Sequence, residues 1–161
     1  MTKALLAGAL AVSLAAAFAT SASPSRTAPI EVFFPRGDPG TRCDRVYPVP
    51  RRVSPPTVLA GAVEALLRGP TKSERRRGYG GWFSARSAGM LRGVRLSQGV
   101  AHVDFKDFRR LIPSASSSCG SALLLAQLDR TATQFPTVRR AIYSFNGSRR
   151  AFYEWLQRSP P

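Results

Sequence analysis

Histidine, cysteine and lysine are nearly absent from this chain. His102 is the only histidine, Cys43 and Cys119 are the only cysteines, and Lys3, Lys72 and Lys106 are the only lysines. A metal centre ordinarily needs roughly three or four protein ligands, and one histidine with two distant cysteines does not supply them. No metal and no cofactor is therefore expected. Acidic residues are scarce too, 9 against 24 basic ones, which leaves a formal net charge of +15 carried almost wholly by arginine. Such a surplus favours polyanionic surroundings. The motifs of common enzymes are missing as well: the serines at 114 and 116–118 lack a Gly-x-Ser-x-Gly elbow, and Gly78-Tyr79-Gly80-Gly81 is not followed by the Lys-Ser/Thr of a phosphate loop.

Long apolar runs are also lacking, with one exception at the start. Met1-Thr2-Lys3 gives a short basic opening, and Ala4 to Ala19 is uncharged and built of apolar and small residues. This pattern predicts a secretory signal peptide over 1–22, cleaved after Ala19 or Ala22, because the run is shorter than the roughly 20 residues of a comfortable membrane span and is followed by small, turn-prone residues. No other stretch predicts a span, so none is expected in the mature chain. Export places Cys43 and Cys119 in an oxidising compartment, where an even count predicts a disulfide. It also turns the positive charge away from nucleic acid and toward envelope anions.

Residues 23–29, small and proline-containing, predict a disordered linker, and 30–158 a single domain. Ile30–Phe34 predicts a first strand. Val46–Val53 predicts an edge strand or extended connector, since Pro48 and Pro50 cannot donate to a ladder. Ser54-Pro55-Pro56 before Thr57–Arg68, with Gly69-Pro70 after it, predicts a capped helix whose apolar stripe is Leu59, Ala62, Val63, Leu66 and Leu67. Thr71–Ala88 predicts a long basic loop in which Tyr79, Trp82 and Phe83 plug the core. Arg92–Ser97 and Val100–Phe105 around Gln98-Gly99 predict a hairpin. A second helix from the Ser116–Ser118 run to Phe135, a strand over Val138–Phe145 and a terminal element over Arg149–Gln157 complete the order. Together these elements predict an α+β fold: a two-layer sandwich with a mostly antiparallel sheet of roughly three to five strands and two main helices on one face.

Five phrases resemble the GerMN domain family: Ile30–Phe34, Tyr47-Pro48-Val49-Pro50-Arg51, Leu66-Leu67-Arg68-Gly69-Pro70, Gly99–Phe105 and Gln127–Pro136. The resemblance covers about Pro29 to Phe145. It implies a small adaptor or scaffolding module of the bacterial cell envelope, with no catalytic residues to carry over. The chain departs from the family pattern in having one copy of the domain and no lipidation cysteine.

The expected function is that of a non-enzymatic secreted or cell-envelope protein that binds another protein or a wall polymer, with a link to sporulation or envelope signalling. The candidate interaction residues are Arg75, Arg76, Arg77, Tyr79 and Trp82 in the long loop, and Arg95, His102 and Asp104 on the hairpin face that points away from the apolar residues. Two alternatives stand beside it: a secreted hydrolase using Cys119 or Asp104 with His102, and arginine-driven binding of anionic envelope polymers.

Overall fold

The computed structural model describes residues 27–37 and 42–161 of the chain. The signal peptide expected over 1–22 lies outside these residues. The linker expected over 23–29 falls partly outside them, and its last two residues already belong to the first strand.

The fold is α+β, but its strands divide between two sheets. β1 (Ala28–Phe34) pairs antiparallel with β2 (Tyr47–Val53). β3 (Leu91–Ser97), β4 (Val100–Phe105) and β5 (Arg140–Phe145) form the other sheet in that order. β3 and β4 are antiparallel, as the hairpin predicts, with Gln98 and Gly99 both at positive φ in a two-residue turn. β4 and β5 run parallel, so the sheets are mostly but not wholly antiparallel. The reason is topological: a helix connects β4 to β5, and a helical crossover returns the chain in the same direction.

Helix α1 (Val58–Leu67) and helix α3 (Ser118–Ala132) pack against each other; α1 also touches β1, β2 and β3, and α3 touches β1 and β5. α1 starts later than its punctuation predicts. Thr57, not Ser54, occupies the N-cap, and it makes no side-chain cap bond. The far end matches the expectation for a physical reason: Gly69 has φ +70°, and a Cβ there would lie 2.2 Å from the Phe83 carbonyl oxygen. Only glycine fits both demands. The Ser87 hydroxyl donates to the Leu67 carbonyl at 2.8 Å, fastening the following segment to the same helix end.

The stretch expected as a plain loop contains helix α2 (Lys72–Arg76), whose Thr71 and Glu74 form a reciprocal capping box. Phe83 and Trp82 do plug inward. Phe83 is buried edge-on to Phe108, and the Trp82 indole N–H donates to the Gly120 carbonyl at 3.1 Å. α3 begins as expected, with the Ser117 hydroxyl accepting from the Gly120 N–H, but ends at Ala132 rather than Phe135. Helix α4 (Arg149–Trp155) lies against β5 and closes an aromatic cluster: Phe105, Phe108, Tyr143 and Phe145 meet Phe152 and Trp155 at centroid distances of 5.0 to 6.2 Å. Cys43 and Cys119 are joined in a disulfide that ties the segment before β2 to the first turn of α3.

Candidate interaction surface

Successive strand residues point to opposite faces, and in the three-stranded sheet this alternation separates core from display. Ala101, Val103 and Phe105 of β4 are buried, as are Tyr143 and Phe145 of β5. The register places Arg95 beside His102, His102 beside Ile142, Val100 beside Arg140 and Asp104 beside Ser144 on the other face. Arg95 and Arg140 are exposed, and His102 and Asp104 half-buried. Leu96, expected to point into the core with Val94, remains 44% exposed where β3 passes the start of α1.

Asp104 is the one acidic residue among these face positions, and both its oxygens are engaged. Its Oδ2 accepts from Arg92 Nη1 at 2.8 Å, while Oδ1 accepts from the Ser144 hydroxyl at 2.7 Å and the Gly147 N–H at 2.8 Å. Asp104 therefore joins β3, β4, β5 and the turn into α4, a positioning role. His102 makes no hydrogen bond to it. Partial burial, then Arg95, Arg149 and Arg140, hold the His102 imidazole below its usual pKa. The register sets Arg95 directly beside His102 and Arg140 one strand over, and Arg149 opens α4 just after the turn whose Gly147 N–H bonds Asp104. Among the described residues, none of the three has an ion-pair partner, whereas Arg92 has Asp104 and Arg150 has Glu154.

The loop candidates are positioned by the other sheet. Glu74 of α2 is buried and receives both Nη groups of Arg51 on β2 at 2.6 Å each. This fork, opposed by desolvation and aided by the Thr71 N–H, holds its pKa down at about 2. Arg75 donates to the Pro70 carbonyl. Tyr79 lies under the guanidinium groups of Arg36 and Arg77, at 5.4 and 5.8 Å from the ring centroid. Gly37 and Gly80 N–H groups bond across to the Gly78 and Pro35 carbonyls, stitching this loop to the end of β1. Trp82 is held against α3. Of the loop candidates, Arg75, Arg76 and Arg77 are exposed, Arg75 while bonded to the Pro70 carbonyl. The two groups of sequence-predicted residues thus belong to different sheets and are not gathered into one site.

Nucleophilic chemistry at Cys119 is overturned by the disulfide, which leaves no thiolate to act. Asp104 has no bond to His102 and is tied by three other groups, so the paired-base version lacks its geometry as well. Among the described residues, no group of three or more His, Cys, Asp or Glu side chains is placed to hold a metal ion, and no helix is long and apolar enough to cross a membrane.

One set of polar residues was missed by sequence reasoning. Gln127, Thr131 and Gln134 share one side of α3 and its continuation, and together they cover the outer edge of β1. Gln134 accepts from the Glu31 N–H and donates to the Glu31 carbonyl, both at 2.7 Å. Thr131 accepts from the Phe33 N–H at 3.3 Å, and Gln127 donates to the Phe33 carbonyl at 3.4 Å. Three side chains take the place of a neighbouring strand. The available signal was their spacing of four and then three residues, a helical stripe of polar groups beside the apolar one.

Residues 31–150 match the family model described as Germane, sporulation and spore germination. Among solved structures, the tandem GerMN domains of the sporulation protein GerM from Bacillus subtilis are similar at 20% identity and a TM-score of 0.52; the match covers 81% of this chain and 43% of that one, so the chain spans less than half of the tandem structure. The first GerMN domain of the same protein is 18% identical with a TM-score of 0.48, over 76% of this chain and 85% of that one. No curated protein matches the chain.

Proposed function

The chain belongs to the Germane family, and from that premise we propose that it is a non-enzymatic, exported module of the cell envelope that binds another envelope protein or a wall polymer, in a process linked to sporulation. Residues 1–22 act as its signal peptide, and 30–158 form a Germane domain. The observation that supports binding over chemistry is the outer face of β3–β4–β5, where Arg95, Arg140 and, from the start of α4, Arg149 have no ion-pair partner among the described residues while the side chains suited to catalysis are held in structural bonds. Exposed charge left uncompensated on a rigid sheet suits recognition of a charged partner.

Co-sedimentation of the purified chain with isolated wall material, and separately with an envelope protein fraction, tests the reading. Saturable retention by one fraction, competed by excess unlabelled chain, is the expected result. Failure to be retained by either fraction at low salt sinks it.

A further inference from the structure

We propose that the outer face of the β3–β4–β5 sheet binds an extended polymer of repeated phosphodiester groups, gripped by Arg95, Arg140 and Arg149 around His102. This rests on the envelope reading above and names its ligand class. The geometry favours an extended ligand. Arg95 stands on β3 and Arg140 on β5, two strand spacings or about 10 Å apart across the sheet, and Arg149 is added from α4. Cations spread over two strands and the start of a helix suit a chain with a charge every few bonds.

The composition of the face narrows the occupant. A protein partner ordinarily buries an apolar centre within its contact, and here Ile142 is already buried, which leaves half-buried Val100 as the one partly open apolar side chain beside Gly93, Ser97, Ser144 and the charges. A lipid surface calls for apolar side chains that enter the acyl boundary, and the exposed Leu96 points to the opposite side of β3. Nucleic acid binding without sequence preference uses aromatic platforms for the bases, and His102 is the only ring at these positions. What remains is charge, presented as guanidinium forks that match the two free oxygens of a phosphodiester.

The groups facing His102 define a pH signature. Arg95 on β3, Arg140 on β5 and Arg149 on α4 are cationic throughout the working range, and Asp104, along β4, is neutralised by Arg92. Protonation of His102 therefore adds positive charge to a face whose ligand keeps its own. Binding tightens as pH falls.

The test uses the full chain and poly(glycerol phosphate) as probe, followed by fluorescence anisotropy. The wild-type chain should bind saturably, and the triple variant R95Q/R140Q/R149Q should bind about tenfold or more weakly while keeping its unfolding midpoint. Wild-type affinity should rise severalfold from about pH 7.5 to about pH 5.5, a gain that H102Q removes. Equal affinity for polyglutamate of matched charge, or undiminished binding by the triple variant, overturns the proposal. Wall material stripped of its phosphodiester polymers separates this failure from the broader one: retention equal before and after stripping refutes the phosphate ligand and leaves envelope binding standing, whereas no retention by either refutes both.

Discussion

The two sheets treat their exposed surfaces in opposite ways. In β1–β2 one edge is covered and the other is blunted by prolines. The outer N–H and C=O groups of Glu31 and Phe33 are taken by Gln127, Thr131 and Gln134, and the register sets Pro48 opposite Phe33 and Pro50 opposite Glu31. Since Glu31 and Phe33 direct their backbone groups to α3, the two prolines occupy positions whose missing N–H would point away from β1, so they remove no ladder bond and deprive the outer edge of donors. In β3–β4–β5 one face is packed with aromatics and the other is left to Arg95, His102, Arg140 and Arg149. The lesson is a division of labour: one sheet is sealed by its neighbours, and the other is stiffened from below so that its bare face keeps a defined arrangement of charge.

The comparison can be broken most severely at the disulfide, because Cys43 and Cys119 hold the segment before β2 to α3. Replacing both with serine should cost about 4.5 kcal/mol in the loop-entropy account of a bridge, given a sequence separation of 76. Urea unfolding measures it, and a loss under about 1 kcal/mol would mean that α3 holds this sheet without the bridge. Next is Glu74→Gln, which leaves Arg51 without its carboxylate and should cost about 3 kcal/mol. The sign of its pH dependence follows from the folded pKa of about 2 against an ordinary 4.5. The stabilisation is present above the ordinary value and is lost as pH falls toward the folded one, so acid titration of stability should show a component in that window that Glu74→Gln lacks.

A smaller loss is expected from Thr131→Val, which removes the acceptor for the Phe33 N–H while keeping the shape: about 1 kcal/mol, with faster amide exchange at Phe33 than in β4. Unchanged exchange at Phe33 would show that α3 merely lies near β1. Smallest of all, R95Q/R140Q should move the unfolding free energy by no more than about 0.5 kcal/mol, since exposed charges away from ion pairs contribute little. A larger drop would make that face a structural element and erase the contrast between the sheets.

Much of the framework was legible in the residues themselves. The alternation across Gln98-Gly99 marked the hairpin, the Ser116–Ser118 run marked the start of α3, and Gly69-Pro70 the end of α1, because turns, caps and periodicity are local preferences of backbone and side chain. The face carrying Arg95, His102 and Asp104 was legible too, since a strand's two sides follow from its period. The distinction between those three was not. Asp104 is a tie between strands and Arg95 a cation with no ion-pair partner among the described residues, and that depends on Arg92, Ser144 and Gly147 arriving beside Asp104. The missed capping box at Thr71 and Glu74 had its local signal, but Glu74 gained its weight from Arg51, 23 residues earlier.

The sequence by itself determined the α+β class, the order of elements, the pairing of two cysteines and the sign of the surface charge, all of which rest on short-range dihedral preference, periodicity or composition. Tertiary structure alone decided that the strands divide into two sheets, that β4 and β5 run parallel, and that Gln127, Thr131 and Gln134 serve as the missing neighbour of β1. These depend on polar groups 94 to 103 residues apart finding each other, and a backbone edge has no partner to specify until the packed helices bring one within hydrogen-bond reach.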